Sequence, residues 1–128
     1  MTAGGIGRPF ARGVVTSQEW EAQDLAQRSR SRGVQLIANC PPGTREAVSG
    51  LVRSIKVFPL DDVLSFEADL YDGTGRVSLV WLGRYRIAGI RAGSEVEARG
   101  RLIRYRNRLV IFNPAYELIS RQPSSGAP

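Results

Sequence analysis

The sequence predicts an all-β domain preceded by one helix. Three observations carry this expectation. The apolar pattern changes from helical spacing to alternation of period two after Cys40-Pro41-Pro42-Gly43, and an Asp72-Gly73-Thr74-Gly75 turn joins two alternating runs. A length of 128 residues, 42% of them hydrophobic, is enough for one core.

In chain order, residues 1–15 hold four glycines and little apolar periodicity, and they read as a mobile arm. Thr16 and Glu19 have capping-box spacing, and the following residues favour helix up to Gly33, acids early and arginines late. This places a helix at about 17–31, within a segment 16–33. Its apolar stripe, Trp20, Ala22, Leu25 and Ala26, is narrow. The helix is therefore read as peripheral, docking Trp20 on the domain or on another subunit, with base stacking by Trp20 as the competing role.

Five strands are expected between 34 and 119. In the first, 47–58, Val48, Gly50 and Val52 share a side and Gly50 suits a bulge or sharp bend. In the second, 64–72, Leu64, Phe66, Ala68 and Leu70 point inward against Ser65, Glu67, Asp69 and Tyr71. The third, 76–82, keeps Val77, Leu79 and Trp81 in phase. The fourth spans 94–105 and the fifth 109–119, while the Pro-, Ser- and Gly-rich tail 120–128 reads as disordered. A phosphate-cradling loop precedes a helix, because aligned N–H groups at a helix start hold the anion. Gly73 and Gly75 precede a strand, so they are read as a hairpin turn.

Several chemistries lack their usual residues. There is no histidine, and Cys40 stands alone, so neither a disulfide, a Cys-rich zinc site nor a His-activated thiol can be built. Asp61 with Asp62, or Glu67 with Asp69, could hold magnesium, but paired acids of this kind are commonplace. A non-enzymatic protein without cofactor is expected. No apolar stretch reaches the length of a membrane span and no signal-peptide core is visible, so a cytoplasmic protein is expected.

The net charge is +6, and 17 of the 18 basic residues are Arg. Its placement matters more than its size. Residues 61–72 carry five acids and no base, whereas 76–108 carry nine arginines against Glu95 and Glu97. Arg84, Tyr85 and Arg86 fall in the link after the third strand; Arg104, Tyr105, Arg106 and Arg108 fall in the hairpin between the fourth and fifth. Guanidinium groups bind phosphates bidentately and Tyr rings stack bases, a combination used to hold single strands. A charged, solvated strand edge is the competing reading. Arg53, Tyr71 and Trp81 complete the candidate set. Trp81 belongs inward by phase and would face a ligand only if a bulge followed Val80. Glu67 and Asp69 point outward where phosphates would be repelled, so either Arg53 or Arg76 neutralises them or the ligand avoids that face.

The order Val48-x-Gly50-x-Val52, Leu70-x-Asp72-Gly73-Thr74-Gly75-Arg76-Val77-x-Leu79-Val80, Gly93 to Leu102, and Asn113-Pro114-x-Tyr116-Glu117-Leu118 resembles an OB-fold nucleic-acid-binding domain over roughly 34–119. It is similar to the OB wedge domain of branched-DNA helicases and to anticodon-binding domains of tRNA synthetases. Residues 79–90 look like small stand-alone actinobacterial OB-fold proteins. The resemblance implies a five-stranded Greek-key barrel whose strand 2–3 face and flanking loops take oligonucleotides. One departure is visible: residues 83–93 leave room for one helical turn at most between strands 3 and 4, so the barrel end is expected to be open or plugged by the N-terminal helix.

The expected partner is single-stranded or branched DNA, or RNA, bound without sequence specificity. The alternative is a protein-docking barrel using whichever of Val80, Leu82, Val110 and Phe112 is outward. Exposed strand edges of a small barrel also invite homo-oligomers.

Overall fold

The computed structural model describes residues 15–120. The expected mobile arm and disordered tail lie outside the described residues, apart from Val15 and Ser120. Helix α1 (Ser17–Arg32) starts at the expected capping box: Thr16 Oγ1 accepts from the Glu19 N–H at 3.0 Å, and Glu19 Oε1 accepts from the Thr16 N–H at 3.0 Å. It stops at Gly33, whose φ of 79° lets its N–H reach back to the carbonyls of Arg30 and Ser29. A short 3-10 turn (Ile37–Asn39) follows.

Seven strands form one sheet: β1 (Arg45–Leu60), β2 (Val63–Tyr71), β3 (Arg76–Leu82), β4 (Glu95–Arg101), β5 (Ile103–Tyr105), β6 (Arg108–Phe112) and β7 (Ala115–Leu118). Their order is β5-β6-β3-β2-β1-β4-β7, antiparallel except for β3 beside β6. Five strands were expected. The difference has two causes: the fourth run breaks at Leu102, and the fifth breaks at Asn113-Pro114, where φ at Asn113 is 51° and Pro114 has no N–H to give. Since β4 and β5 are separated only by Leu102, the sheet curls until its β5 end and its β4 flank are joined by one residue of chain. The ladder itself does not close.

The main core fills the inside of this curl, with Val48, Val52, Phe66, Ala68, Leu70, Val77, Leu79, Trp81, Val96, Ala98 and Ile111 supplied by the inward phase of the strands. Ile87 and Ile90 also turn into it. The β3–β4 link is thus made of turns without a helix, and its own isoleucines pack into the core at the end that was expected to be open or plugged by α1. Helix α1 instead lies along β1, its buried Ser29 hydrogen-bonded to Ser49 (Oγ to Oγ 2.9 Å). Trp20 points away, 66% exposed, so it does not dock on the domain.

Two glycines are required by close approach. A Cβ on Gly73 would collide with the Ala22 carbonyl of α1, and φ there is 91°. A Cβ on Gly50 would strike the Tyr71 carbonyl. Gly50 is therefore a contact point between strands, and the bulge falls three residues later, between Val52 and Ser54. Asp72 ties the turn down. Its fully buried carboxylate accepts from the Thr74 N–H (2.8 Å), the Thr74 hydroxyl (2.7 Å), the Gly75 N–H (3.1 Å) and the Ile37 N–H (2.8 Å). The Asp-Gly-Thr-Gly segment is a structural turn.

Candidate nucleic-acid interface

The bulge after Val52 sends β1 and β2 onward as a ribbon that curls over the outer face of β3 and β6. Leu60, Val80 and Val110 are buried there, with Phe58, Ile103, Tyr105 and Phe112 packed around them. Val80 and Val110 therefore offer no outward docking surface. Both hairpin tips have two consecutive left-handed residues, Asp61-Asp62 and Arg106-Asn107, as tight two-residue turns demand. These tips meet. The Tyr105 hydroxyl donates to Asp61 Oδ2 at 3.3 Å, and Arg106 donates to Asp61 Oδ1 at 3.2 Å.

Several expected binding residues are thus already engaged. Tyr105 packs edge-on against Phe112, with Arg106 stacked 5.1 Å over its ring. Arg108 donates to Glu67 Oε2 at 2.6 Å and to the Ser78 hydroxyl at 3.1 Å. Glu67 is 5% exposed, and its other oxygen has no hydrogen-bond partner among the described residues. Asp69 pairs with Arg76 at 2.6 Å. The outward acids are therefore neutralised, but by Arg76 and Arg108; Arg53 pairs with Glu21 of α1 at 3.1 Å and lies 4.7 Å over the Tyr71 ring. Tyr71 and Arg53 form a helix-docking contact. Trp81 is 6% exposed, donates to the Pro114 carbonyl at 3.2 Å and packs edge-on between Phe66 and Tyr116. No bulge follows Val80, because β3 stays in register with β2 through Leu82. Trp81 is a core residue, removed from the candidate face.

Of the expected binding residues, Arg84, Tyr85, Arg86 and Arg104 are exposed and pair with no carboxylate among the described residues. Arg84, Tyr85 and Arg86 line one surface hollow, Tyr85 at 65% exposure with Arg86 6.0 Å from its ring centre. Sequence reasoning missed a larger groove of about 760 Å³, lined by Arg45, Glu46, Ala47, Arg99, Arg101, Ile103, Phe112 and Asn113 among others. Its signal was available as period-two arginines at 99 and 101, but the partner strand bringing Arg45 beside them was not.

Burial, with Glu46 and Asp72 nearby, pushes the Cys40 thiol above its ordinary range. Among the described residues no group of three or more acids and cysteines is placed to hold a metal ion, and no helix is long and apolar enough to cross a membrane.

No protein-family model and no curated protein matches the chain. Among solved structures it is similar to yeast Stn1 and Ten1, with a TM-score of 0.50 and 14% identity over 82% of this chain and 62% of that one. The fold is OB-like. Two further similarities are to a Replication Protein A heterotrimer bound to ssDNA (TM-score 0.49, 16% identity, 73% of this chain and 77% of that one) and to RecG bound to a three-way DNA junction (0.48, 18%, 94% and 18%). The chain spans less than two-thirds of the Stn1–Ten1 and RecG chains. The OB-like curl accounts for β3 running parallel to β6 and for the long, bent β1 shared by β2 and β4.

Proposed function

We propose that this chain is a non-enzymatic nucleic-acid-binding module that holds single-stranded or branched DNA, or RNA, without sequence specificity. The observation that carries the reading is the separation of the arginines into two classes. Arg53, Arg76, Arg106 and Arg108 are paired with carboxylates, whereas Arg84 and Arg104 stand exposed without any, Arg84 beside the exposed Tyr85. Unpaired guanidiniums next to an open aromatic ring suit phosphate contact and base stacking, worth about 1–3 kcal/mol per stacked base. A Greek-key barrel assembled from β1, β2, β3, the β4–β5 run and β6 belongs to this reading.

The test is fluorescence anisotropy of labelled single-stranded DNA, duplex DNA and RNA at low and physiological salt. Salt-sensitive binding that weakens in an Arg84→Ala, Tyr85→Ala, Arg104→Ala variant is expected. A flat curve with all three polymers at low salt rules the function out.

A second reading, protein docking, is favoured by one observation. Ile55, Val57, Val63, Leu64 and Leu82 are all large, apolar and exposed on and beside the β1–β2 ribbon. A partner held there would survive nuclease treatment in a pull-down.

A further inference from the structure

We infer that the groove between β1, β4 and the β5–β6 hairpin is the track for the sugar-phosphate backbone of a bound strand, with Arg45, Arg99 and Arg101 as its phosphate contacts. This rests on the proposed nucleic-acid function and assigns the strand a path away from the β2–β3 face.

Arg45 stands directly opposite Arg101 in the antiparallel register of β1 and β4, so the two side chains leave the sheet on the same side. Arg99 lies two residues from Arg101 on that same side, opposite Ala47, whose small side chain leaves the space open. Like charges directly opposite each other destabilise a sheet. Among the described residues no carboxylate pairs with either: Arg45 has no ion pair, and Arg101 donates only to the Gly43 carbonyl, at 2.6 Å. Arg99 is held by Glu97 at 3.0 Å and more loosely by Glu117 at 4.0 Å. Glu46 is the acid that also lines the groove.

An anion lying between Arg45 and Arg101 removes the repulsion, and the groove's shape fits a strand. Ile103 and Phe112 give it an apolar floor for sugar or base, while the arginines form a cationic wall. Arg99 and Arg101 repeat at about 6.6 Å, two residues of a strand, which is close to the repeat of phosphates along an extended single strand. The groove also runs into the other free cations. Asn113 at one end accepts from the Leu82 N–H at 3.0 Å, two residues before Arg84, and Ile103 is followed directly by Arg104. The β2–β3 face, in contrast, has its arginines tied to Glu67 and Asp69.

This makes an unusual demand on mutants. Arg45→Glu places a carboxylate opposite Arg101, so it folds with a melting temperature equal to or above the parent's. It is nevertheless expected to weaken binding of a labelled oligothymidylate at low salt at least about tenfold, as does Arg45→Ala with Arg101→Ala. Lys56→Ala, on the β1–β2 side, serves as a control and should change affinity less than about twofold. A folded Arg45→Glu variant that binds like the parent overturns the groove and leaves the function standing. A parent chain that binds none of the oligonucleotides overturns both.

Discussion

Asp72 shows how one side chain fixes a turn and its surroundings. Its carboxylate satisfies three backbone N–H groups and a hydroxyl without touching solvent. Each buried donor left without a partner costs about 1–3 kcal/mol, so Asp72→Ala is expected to lose at least about 3 kcal/mol in denaturant unfolding. A loss below about 1 kcal/mol would mean that water replaces the carboxylate. Arg108 carries a related consequence. Removing it leaves the 5%-exposed Glu67 carboxylate without its ion-pair partner, and breaking a buried pair costs about 3–5 kcal/mol, less here because a third of the Arg108 side chain is exposed and Lys56 and Ser78 line the same hollow. Arg108→Ala should therefore lose about 2 kcal/mol of stability, most of it recovered when Glu67→Gln is added. If the second change recovers nothing, the two are not coupled. For the same reason Arg108→Ala is a poor probe of nucleic-acid contact: lost binding would report lost folding.

At the scale of elements, α1 is held by particular contacts more than by apolar area. Only Leu25, Ala26 and Ser29 are buried, and the remaining anchors are Arg28 to Glu95 (3.7 Å), Arg32 to Glu97 (2.6 Å) and Glu21 to Arg53. The backbone of Ala22 sits where a Gly73 side chain would be. Gly73→Ala should therefore loosen the helix and strain the turn, costing about 2 kcal/mol, with faster amide exchange in 17–32 than in β4 and β6. Uniform exchange throughout would show that helix and sheet unfold as one unit. These elements also show what the sequence made legible. The capping box and the inward phase of Phe66, Ala68, Leu70, Val77, Leu79 and Trp81 are local patterns, and each stands in the structure where the spacing placed it; Leu64, expected inward, is exposed, and Ser65 and Glu67, expected outward, are buried because the β1–β2 ribbon leaves the core and its outer side is covered. The breaks at Leu102 and Asn113 were invisible because they serve the curl of the whole sheet. The register that puts Arg45 opposite Arg101 joins residues 56 positions apart, and no local pattern encodes it. Glu67 was recognised as a problem, but its partner came from β6, a strand hydrogen-bonded to β3 and never adjacent to it in sequence.

For the whole molecule, the excess positive charge divides into cations consumed by folding and cations left for a ligand. The paired set, Arg28, Arg32, Arg53, Arg76, Arg106 and Arg108, binds α1 to the sheet and neutralises the outer β2–β3 face and the hairpin tips. Among the described residues the groove and its exits carry five arginines without a carboxylate partner, Arg45, Arg84, Arg86, Arg101 and Arg104, beside Arg99, which Glu97 holds. Counterion release converts that division into a measurable slope. For single strands, log K falls against log salt with a slope near −0.7 per phosphate neutralised, so the five open arginines predict a slope of about −3.5. Replacing Arg45 and Arg101 with Ala should make it shallower by about 1.4, because two contacts are gone. Replacing Arg76, which is already paired with Asp69, should leave the slope unchanged. Titrations of the parent and both variants across a salt series check this directly. A parent slope near zero would mean that the strand is held by stacking alone, while an equal drop for Arg76 would mean that the fold's internal ion pairs open when the strand arrives.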